Sequence, residues 1–565
     1  MGILITTGML FNMGILSTVW LLVTQFFQWG DLVNPKRNMY LVLIIFLVIT
    51  VYYIQKLPII GFMIESFPFI SSFLYPEGQV TEHMQGQLTW WGITSFVLSL
   101  STLLIAFVIL MENRHPSKTI AWLIVLILFP ILGFFLYVLI GQNYRRKRRF
   151  KRKEAYTVGE IEDLMNMQLA LVREEGYWED KRLDEKKNLL RLTLHNSEAP
   201  FTTNNETEVL TNGEAKFEAL KAALRLATDH IHLEYYIFRD DEISTEIQQI
   251  LIEKALEGVE VRFIVDGVGS HSLSPRFVRA MEKAKIKFAV FYPVIFPFIN
   301  KLNYRNHRKI VIIDGKVGFL GGINVGDEYL HKDPKLGFWR DTHLKIQGDA
   351  VYFLQIIFAK DWRFLTGEDI EDSRYFPSCC KEGDQLIQIA SSGPDADWES
   401  ILQVYFTAII SATKSIYITT PYLVPDESIF MALKTAAMSG VQVQIIVPAK
   451  PDHQLVFWAS RAYYQELLDS GVRIFEYEKG FIHAKVLIVD DIVSSVGTAN
   501  MDIRSFQLNF EINALLYDEA IANRLLEDFH EDLKHCREID PEIFSQRGIK
   551  QKIKESGAKL VSPLL

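Results

Sequence analysis

Two histidines in this chain stand in matching company. The first opens the run His307-Arg308-Lys309-Ile310-Val311-Ile312-Ile313-Asp314, the second the run His483-Ala484-Lys485-Val486-Leu487-Ile488-Val489-Asp490. In both, Lys follows His by two positions and Asp by seven. Gly follows that Asp by seven (Gly321, Gly497), and Asn lies 17 after the His (Asn324, Asn500). Lys, Asp, Gly and Asn at four fixed offsets arise by chance on the order of once per 10^5 histidines. The chain has 13 histidines, so the repetition marks a duplicated functional element.

Residues two apart on a strand face the same way. Each copy therefore offers an imidazole and an ammonium together, with a carboxamide at the end of a second strand that the Gly lets approach closely. Two such sets around one pocket suit a phosphodiester. Lys309, Lys485, Asn324 and Asn500 can donate to its non-bridging oxygens. One neutral imidazole can attack phosphorus and form a phosphohistidine. The other, protonated, can give its proton to the leaving alkoxide and then deprotonate an incoming acceptor. The spacing leaves open which histidine does which. Asp314 and Asp490 close their strands, where they can orient neighbours, hydrogen-bond or form turns. No cofactor is called for, and no His/carboxylate cluster reads as a metal site.

The elements that must carry these residues alternate strand and helix, twice. Helix 217–227 leads to strand 232–238, helix 246–257 and strand 259–265. The order recurs in helix 401–412, strand 415–419, helix 429–438 and strand 441–447. Gly258-Val259-Glu260-Val261 parallels Gly440-Val441-Gln442-Val443, and Tyr236 parallels Tyr422 at the strand ends. Such alternation predicts α/β layering. Two long copies predict paired lobes about a pseudo-twofold axis, with one half-site from each. A polar helical stretch (155–195) and a Thr/Asn-rich turn (202–206) precede them.

The first part of the chain has a different character. Residues 1–30 carry no charge, and 39–54 is a short Leu/Ile/Val-rich run. Residues 59–75 are apolar but broken by Glu65 and Pro68, which predicts an interfacial or re-entrant segment. Residues 88–111 and 120–140 are each long enough to cross a hydrocarbon core of about 30 Å, joined by the polar loop 112–118. Pro130 and Gly133 inside the second are tolerated in membrane helices. The run Arg145-Arg146-Lys147-Arg148-Arg149-Phe150-Lys151-Arg152-Lys153 predicts a cytoplasmic flank and can also attract anionic headgroups. Arg114 and Lys118 on the other side weigh mildly against that orientation. The net charge of −9 speaks against a nucleic-acid partner. Cys379, Cys380 and Cys536 have no zinc spacing and are read as reduced thiols without a role.

At the paired His-x-Lys-x4-Asp runs the chain resembles the phospholipase D superfamily, over roughly residues 215–540. Asn113-Arg114, Pro116, the stretch 119–122, the stretch 141–145, His232-Leu233-Glu234-Tyr235-Tyr236-Ile237-Phe238, Trp339-Arg340-Asp341-Thr342-His343 and Leu508-Asn509-Phe510-Glu511 resemble bacterial cardiolipin synthases more narrowly. The resemblance implies an α/β fold with N-terminal transmembrane helices followed by two pseudo-symmetric phospholipase D-like lobes. It implies a membrane region over 1–154, a linker helix and entry segment over 155–205, and lobes over 206–380 and 381–565. It implies phosphatidyl transfer between two phosphatidylglycerols, giving cardiolipin and glycerol. The catalytic set would be His307, Lys309, Asp314, His483, Lys485 and Asp490, with His307 as nucleophile. Asn324, Asn500, Thr498, Glu511 and Arg504 would bind substrate, the last two by contacting the phosphate or the catalytic His, unless they form structural ion pairs. The family often has Ser after the Gly of Gly-x-x-Asn. Gly322 and Thr498 stand there, and only Thr498 keeps a hydroxyl. The expected partners are phosphatidylglycerol and an anionic bilayer, the expected place a bacterial cell membrane with the protein multi-pass and its lobes cytoplasmic, and a homo-oligomer stays open. The alternatives are a phospholipase D hydrolase or another phosphatidyltransferase, a nuclease of the same superfamily, and a catalytically dead membrane scaffold.

Overall fold

The computed structural model describes residues 105–107, 109, 111, 116–128, 133, 137, 159–172, 181–293, 303–378, 383–396 and 398–561. The apolar runs 1–30, 39–54 and 59–75, most of 88–111, about half of 120–140, the basic run 145–153, Cys379 and Cys380 lie outside them. Helix Pro116–Leu128 begins within the expected polar loop, four residues ahead of the expected span. Proline lacks the N–H that a first helical turn leaves unpaired, so a start at Pro116 costs nothing. Among the described residues, no helix is long and apolar enough to cross a membrane.

The duplication seen in the residues recurs strand for strand. Strand β1 is Phe201–Thr202. The first lobe then supplies β2 (Asn205–Thr211), β3 (His230–Tyr235), β4 (Glu260–Asp266), β5 (Lys287–Phe291), β6 (Lys309–Ile313), β7 (Val317–Gly321), β8 (Phe338–Arg340) and β9 (Thr342–Gly348). The second supplies β10 (Leu386–Ser392), β11 (Ser415–Thr419), β12 (Leu423–Val424), β13 (Gln442–Pro448), β14 (Arg473–Tyr477), β15 (Gly480–Ile482), β16 (Val486–Val489), β17 (Val493–Gly497), β18 (Met501–Asp502), β19 (Glu511–Tyr517) and β20 (Cys536–Glu538). The first sheet runs β2-β9-β7-β6-β3-β4-β5. The second runs β10-β19-β17-β16-β11-β13-β14 with β1 and β20 added at its edges. The matching pairs share their sense: β3 is parallel to β4 and antiparallel to β6, as β11 is to β13 and β16.

Both faces of each central strand are buried. Ile310 and Ile312 of β6 and Val486 and Ile488 of β16 enter one shared core. Val311 and Ile313 face the outer core of the first lobe, Leu487 and Val489 that of the second. This is why the sequence reads as unbroken apolar runs there. Two equivalent helices, Ala350–Thr366 after β9 and Glu519–Leu533 after β19, fill the shared core between the sheets. The lobes thus meet through interior-grade packing.

The segment ahead of the lobes belongs physically to the second one. Helix Lys187–Ser197 is tied to it by Asn196 Nδ2 donating to Ser400 O (3.2 Å), and by Gln388 Nε2 donating to Leu190 O (3.3 Å). Strand β1 extends the second sheet, not the first.

Asp314 and Asp490 sit past the far ends of β6 and β16, both with φ of 53°. Asp314 accepts from the backbone N–H groups of Thr228, Asp229 and His230 at 2.8, 2.8 and 3.0 Å. Asp490 does the same for Thr413, Lys414 and Ser415, and pairs with the buried Lys186 at 2.7 Å. Burial opposes their ionisation, yet these donors hold both carboxyls below the usual range. Their stabilising effect is therefore present at neutral pH and is lost as pH falls through those lowered values. A carboxylate receiving several backbone donors stabilises by about 2 kcal/mol. Asp314→Ala should lower unfolding free energy by about that amount in urea titration, while kcat of the folded fraction changes less than about threefold.

Candidate active site

The chain ahead of each histidine crosses to the other lobe. Asn306 bridges Phe510, and His307 N donates to Phe510 O at 3.0 Å while Phe510 N donates to Arg305 O at 2.9 Å. Likewise β15 pairs in parallel with β8, and His483 N donates to Arg340 O at 2.7 Å. Buried ion pairs fix these approaches: Arg305 with Asp266 (3.2 Å) and Arg340 with Asp532 (2.8 Å).

The crossing brings each imidazole onto a carboxylate of the opposite lobe. His307 Nδ1 lies 3.0 and 2.9 Å from the two oxygens of Glu511. His483 Nδ1 lies 2.8 Å from Asp341 Oδ2. Strand register makes these carboxylates equivalent. Gly321 pairs with His343 and Gly497 with Asn513, so Asp341 and Glu511 each stand two residues before the partner of the motif glycine. Their distances along the chain from that glycine differ, 20 residues against 14, which hid the equivalence of Asp341 from spacing.

Glu511 also accepts from Thr498 Oγ1 (2.6 Å) and Asn509 Nδ2 (3.1 Å). At the corresponding place in the first lobe, a Cβ on Gly322 would sit 2.0 Å from Asp341 Oδ1. Gly322 is thus the space that a shorter carboxylate, drawn back against the strand, occupies. The hydroxyl missing there is replaced as a donor by Thr342 N, 2.8 Å from Asp341 Oδ1.

Lys309 and Lys485 point back along their strands, Lys309 Nζ donating to His307 O at 2.6 Å. Lys485 Nζ lies 3.0 Å from both ring nitrogens of His483. Burial presses His307 down to about 4 against the pull of Glu511. Burial and then Lys485 press His483 to about 4, with Asp341 opposing. Burial likewise lowers Lys309 to about 7 and Lys485 to about 8. Glu511 resists its own burial, since His307 and Lys309 hold it below the ordinary carboxylate value. Near pH 7 both imidazoles are then neutral, Lys309 is about half charged and Lys485 mostly charged, a field suited to a phosphodiester.

A cavity of about 470 Å³ joins the two half-sites, with both histidines, Asn324, Asn500 and Arg504 in its wall. Asn324 is oriented by Ile237 N donating to its Oδ1 (3.0 Å) and by its Nδ2 donating to Tyr329 Oη (3.2 Å). Thr498 and Glu511 stand behind the histidine and not in the wall. Asp314 and Asp490 are also absent from the wall. Seven residues of extended chain, about 20 Å, separate them from the histidines, and their oxygens hold loop backbone instead.

The wall breaks the pseudo-symmetry. Four residues after the motif asparagines stand Glu328, paired with Arg239 at 3.3 Å, and Arg504, donating to Asn303 O at 3.3 Å. Two residues before the carboxylates stand Trp339, its ring 5.0 Å from that of His483, and Asn509. Spacing missed Asp341, Trp339 and Arg305. The parallel tyrosines were a usable signal: Tyr236 and Tyr422 both line the cavity, Tyr236 edge-on to His307 at 4.9 Å.

The family model described as cardiolipin synthase, phospholipase D-like domain, matches residues 220–357 and 405–533, and a phospholipase D-nuclease N-terminal model matches 100–142. Cardiolipin synthase 2 of Bacillus anthracis is 49% identical over 83% of this chain and 90% of its own. The major cardiolipin synthase of Bacillus subtilis is 44% identical over 84% of this chain and 100% of its own. The chain belongs to the cardiolipin synthase family. Its fold matches the crystal structure of phosphatidylserine synthase from Haemophilus influenzae with a TM-score of 0.51 at 15% identity, covering 67% of this chain and 100% of that one.

The Gly322–Asp341 contact makes a direct prediction. Gly322→Ser should displace Asp341 from His483 and lower kcat at least about tenfold with little change in thermal midpoint. Gly322→Thr combined with Asp341→Glu copies the Thr498–Glu511 arrangement and should recover most of that loss. Steady-state kinetics on the folded variants checks both.

Proposed function

We propose that the protein is a cardiolipin synthase that moves a phosphatidyl group from one phosphatidylglycerol to another through a phosphohistidine. The observation carrying this reading is the reciprocal pairing of two imidazoles with carboxylates of opposite lobes at a single cavity. His307 is the nucleophile. Both oxygens of Glu511 face its Nδ1, which fixes the proton there and leaves Nε2 with a lone pair for phosphorus. Nε2 of His483, by contrast, is approached by the Lys485 ammonium.

In the first step, the Nε2–P bond forms and the P–O bond to the glycerol headgroup breaks. His483, protonated once the bound anion offsets its burial, gives its proton to the departing alkoxide. In the second, His483 takes the proton from a glycerol hydroxyl of the second phosphatidylglycerol. That oxygen attacks phosphorus, and His307 leaves as neutral imidazole. Lys309, Lys485, Asn324 and Asn500 stabilise the charge on the non-bridging oxygens, and Arg504 adds a cation at the wall. Glu511 and Asp341 position the histidines, Thr498 positions Glu511, and Asp314 and Asp490 hold the loops behind the strands. Four units follow from this reading: a membrane region over 1–154, a linker over 155–205, and lobes over 206–380 and 381–565. We place the protein in a bacterial cell membrane, multi-pass, with its lobes on the cytoplasmic side and anionic lipid within reach. The apolar runs before residue 140, the basic run after it and the N-terminal family match support that placement.

Incubation of the purified protein with labelled phosphatidylglycerol should yield cardiolipin and free glycerol, with label trapped on His307 and lost in His307→Ala. Phosphatidic acid as the sole product would sink the synthase reading, and label on His483 would reverse the assignment. The pH dependence is a separate expectation. A lysine holds its charge below its pKa, so attraction for the phosphodiester is present below about 7 to 8 and fades as Lys309 and Lys485 discharge above it. The profile of kcat/KM should fall on that alkaline side, and Lys309→Arg, whose charge persists, should move the limb upward.

A further inference from the structure

The last helix of the lobes, Ile549–Val561, turns an apolar ridge outward. At 100° per residue, Ile549, Ile553 and Leu560 fall within about 40° of one another. They are 71%, 65% and 84% exposed. Lys550 and Lys552 flank that ridge on either side, with Lys554 beyond, all exposed. The opposite face is fixed to the protein. Ala558 is buried, and Glu555, the only acid of the helix, is 1% exposed. Glu555 is held by Arg547 at 2.7 Å, Gln551 at 2.9 Å and Arg461 at 3.4 Å. These contacts set the rotation of the helix. Its negative charge is turned inward and neutralised, while Ile549, Ile553 and Leu560 face out between Lys550 and Lys552.

An ordinary surface helix has the reverse pattern, apolar side in and charges out. A ridge of branched apolar side chains between lysines matches what an anionic bilayer surface accepts: the ridge enters the headgroup–acyl boundary and the lysines meet lipid phosphates. The helix also leads to the cavity. It packs on helix Gln454–Asp469 through Glu555–Arg461 and Lys554 over the Trp458 ring (5.2 Å). The first turn of that helix supplies Val456 to the cavity wall, just after Asp452 and His453, and carries Leu455, 43% exposed.

We propose that helix Ile549–Val561 is a bilayer-docking surface that lies in the headgroup region of anionic phospholipid and holds the second lobe's side of the cavity against the lipid. The proposal rests on the reading that the substrate is an anionic phospholipid. It adds a contact distinct from any N-terminal anchor, made by the catalytic region itself.

The test uses the full chain with Cys379, Cys380 and Cys536 replaced by Ala and Ile553→Cys carrying an environment-sensitive fluorophore. It is reconstituted in phosphatidylcholine vesicles with or without phosphatidylglycerol. With phosphatidylglycerol, the emission should shift to the blue and be quenched by lipids bearing a shallow spin label, and high salt should weaken both. The same fluorophore at Met438→Cys, on an exposed position of helix Glu427–Met438, should stay in water. Lys550→Gln and Lys552→Gln should each lower the docked-to-free ratio roughly fivefold. Water-like emission at Ile553 in both vesicles overturns the proposal. So does burial that follows protein density instead of lipid charge, which would mean a second copy. Cardiolipin formation, measured on the same samples, separates the two readings. Quenching without product keeps the docking surface and sinks the synthase, whereas product without quenching does the opposite.

Discussion

Everything at the centre of this protein depends on two buried imidazoles each resting on a carboxylate of the other lobe. A carboxylate taken from water is costly unless it is paired and hydrogen-bonded. Glu511, fully buried, has His307, Thr498 and Asn509 around it; Asp341 has His483, the N–H of Thr342 and the Trp339 indole. Neither lobe can satisfy its own carboxylate with its own histidine. The half-sites therefore exist as such only when the lobes are docked, and the shared core around helices Ala350–Thr366 and Glu519–Leu533 maintains that docking.

The two-step chemistry requires the halves to differ, and the structure supplies differences without disturbing the frame. Gly322 with Asp341 and Thr498 with Glu511 are two solutions to seating a carboxylate at the same register position. Trp339 covers one histidine where Asn509 supports the carboxylate of the other. Glu328 and Arg504 set opposite charges at equivalent points of one cavity. A single duplicated scaffold thus carries two unequal half-sites, with Lys485 Nζ 3.0 Å from both ring nitrogens of His483 and Lys309 Nζ on the carbonyl of His307.

Much of this was legible in the residues. The offsets from His307 and His483 picked out histidines and asparagines that meet at one cavity, and a strand's period of two fixes which residues share a face. The apolar runs after each Lys marked strands buried on both sides. Strand 415–419 was read to the residue, while helix Asn212–Leu226 began five residues ahead of expectation because Asn212 and Gly213, poor helix formers, are drawn into it by packing against the Asp341 and Tyr329 backbone. Asp314 and Asp490 share the repeated motif with the histidines, but the rise of an extended strand carries them away from the cavity. Their carboxylates instead gather the backbone of the neighbouring loops.

By itself, then, the sequence determined the reaction-bearing types, their duplication and the α/β order that mounts them, since these follow from local periodicity and spacing. Only the tertiary structure decided which carboxylate serves which histidine, and that Asp341 belongs to the site at all. Those pairings cross from one lobe to the other, over 142 residues for Asp341 and His483 and 204 for His307 and Glu511. No local rule links such positions; the docking of two sheets through a common core does.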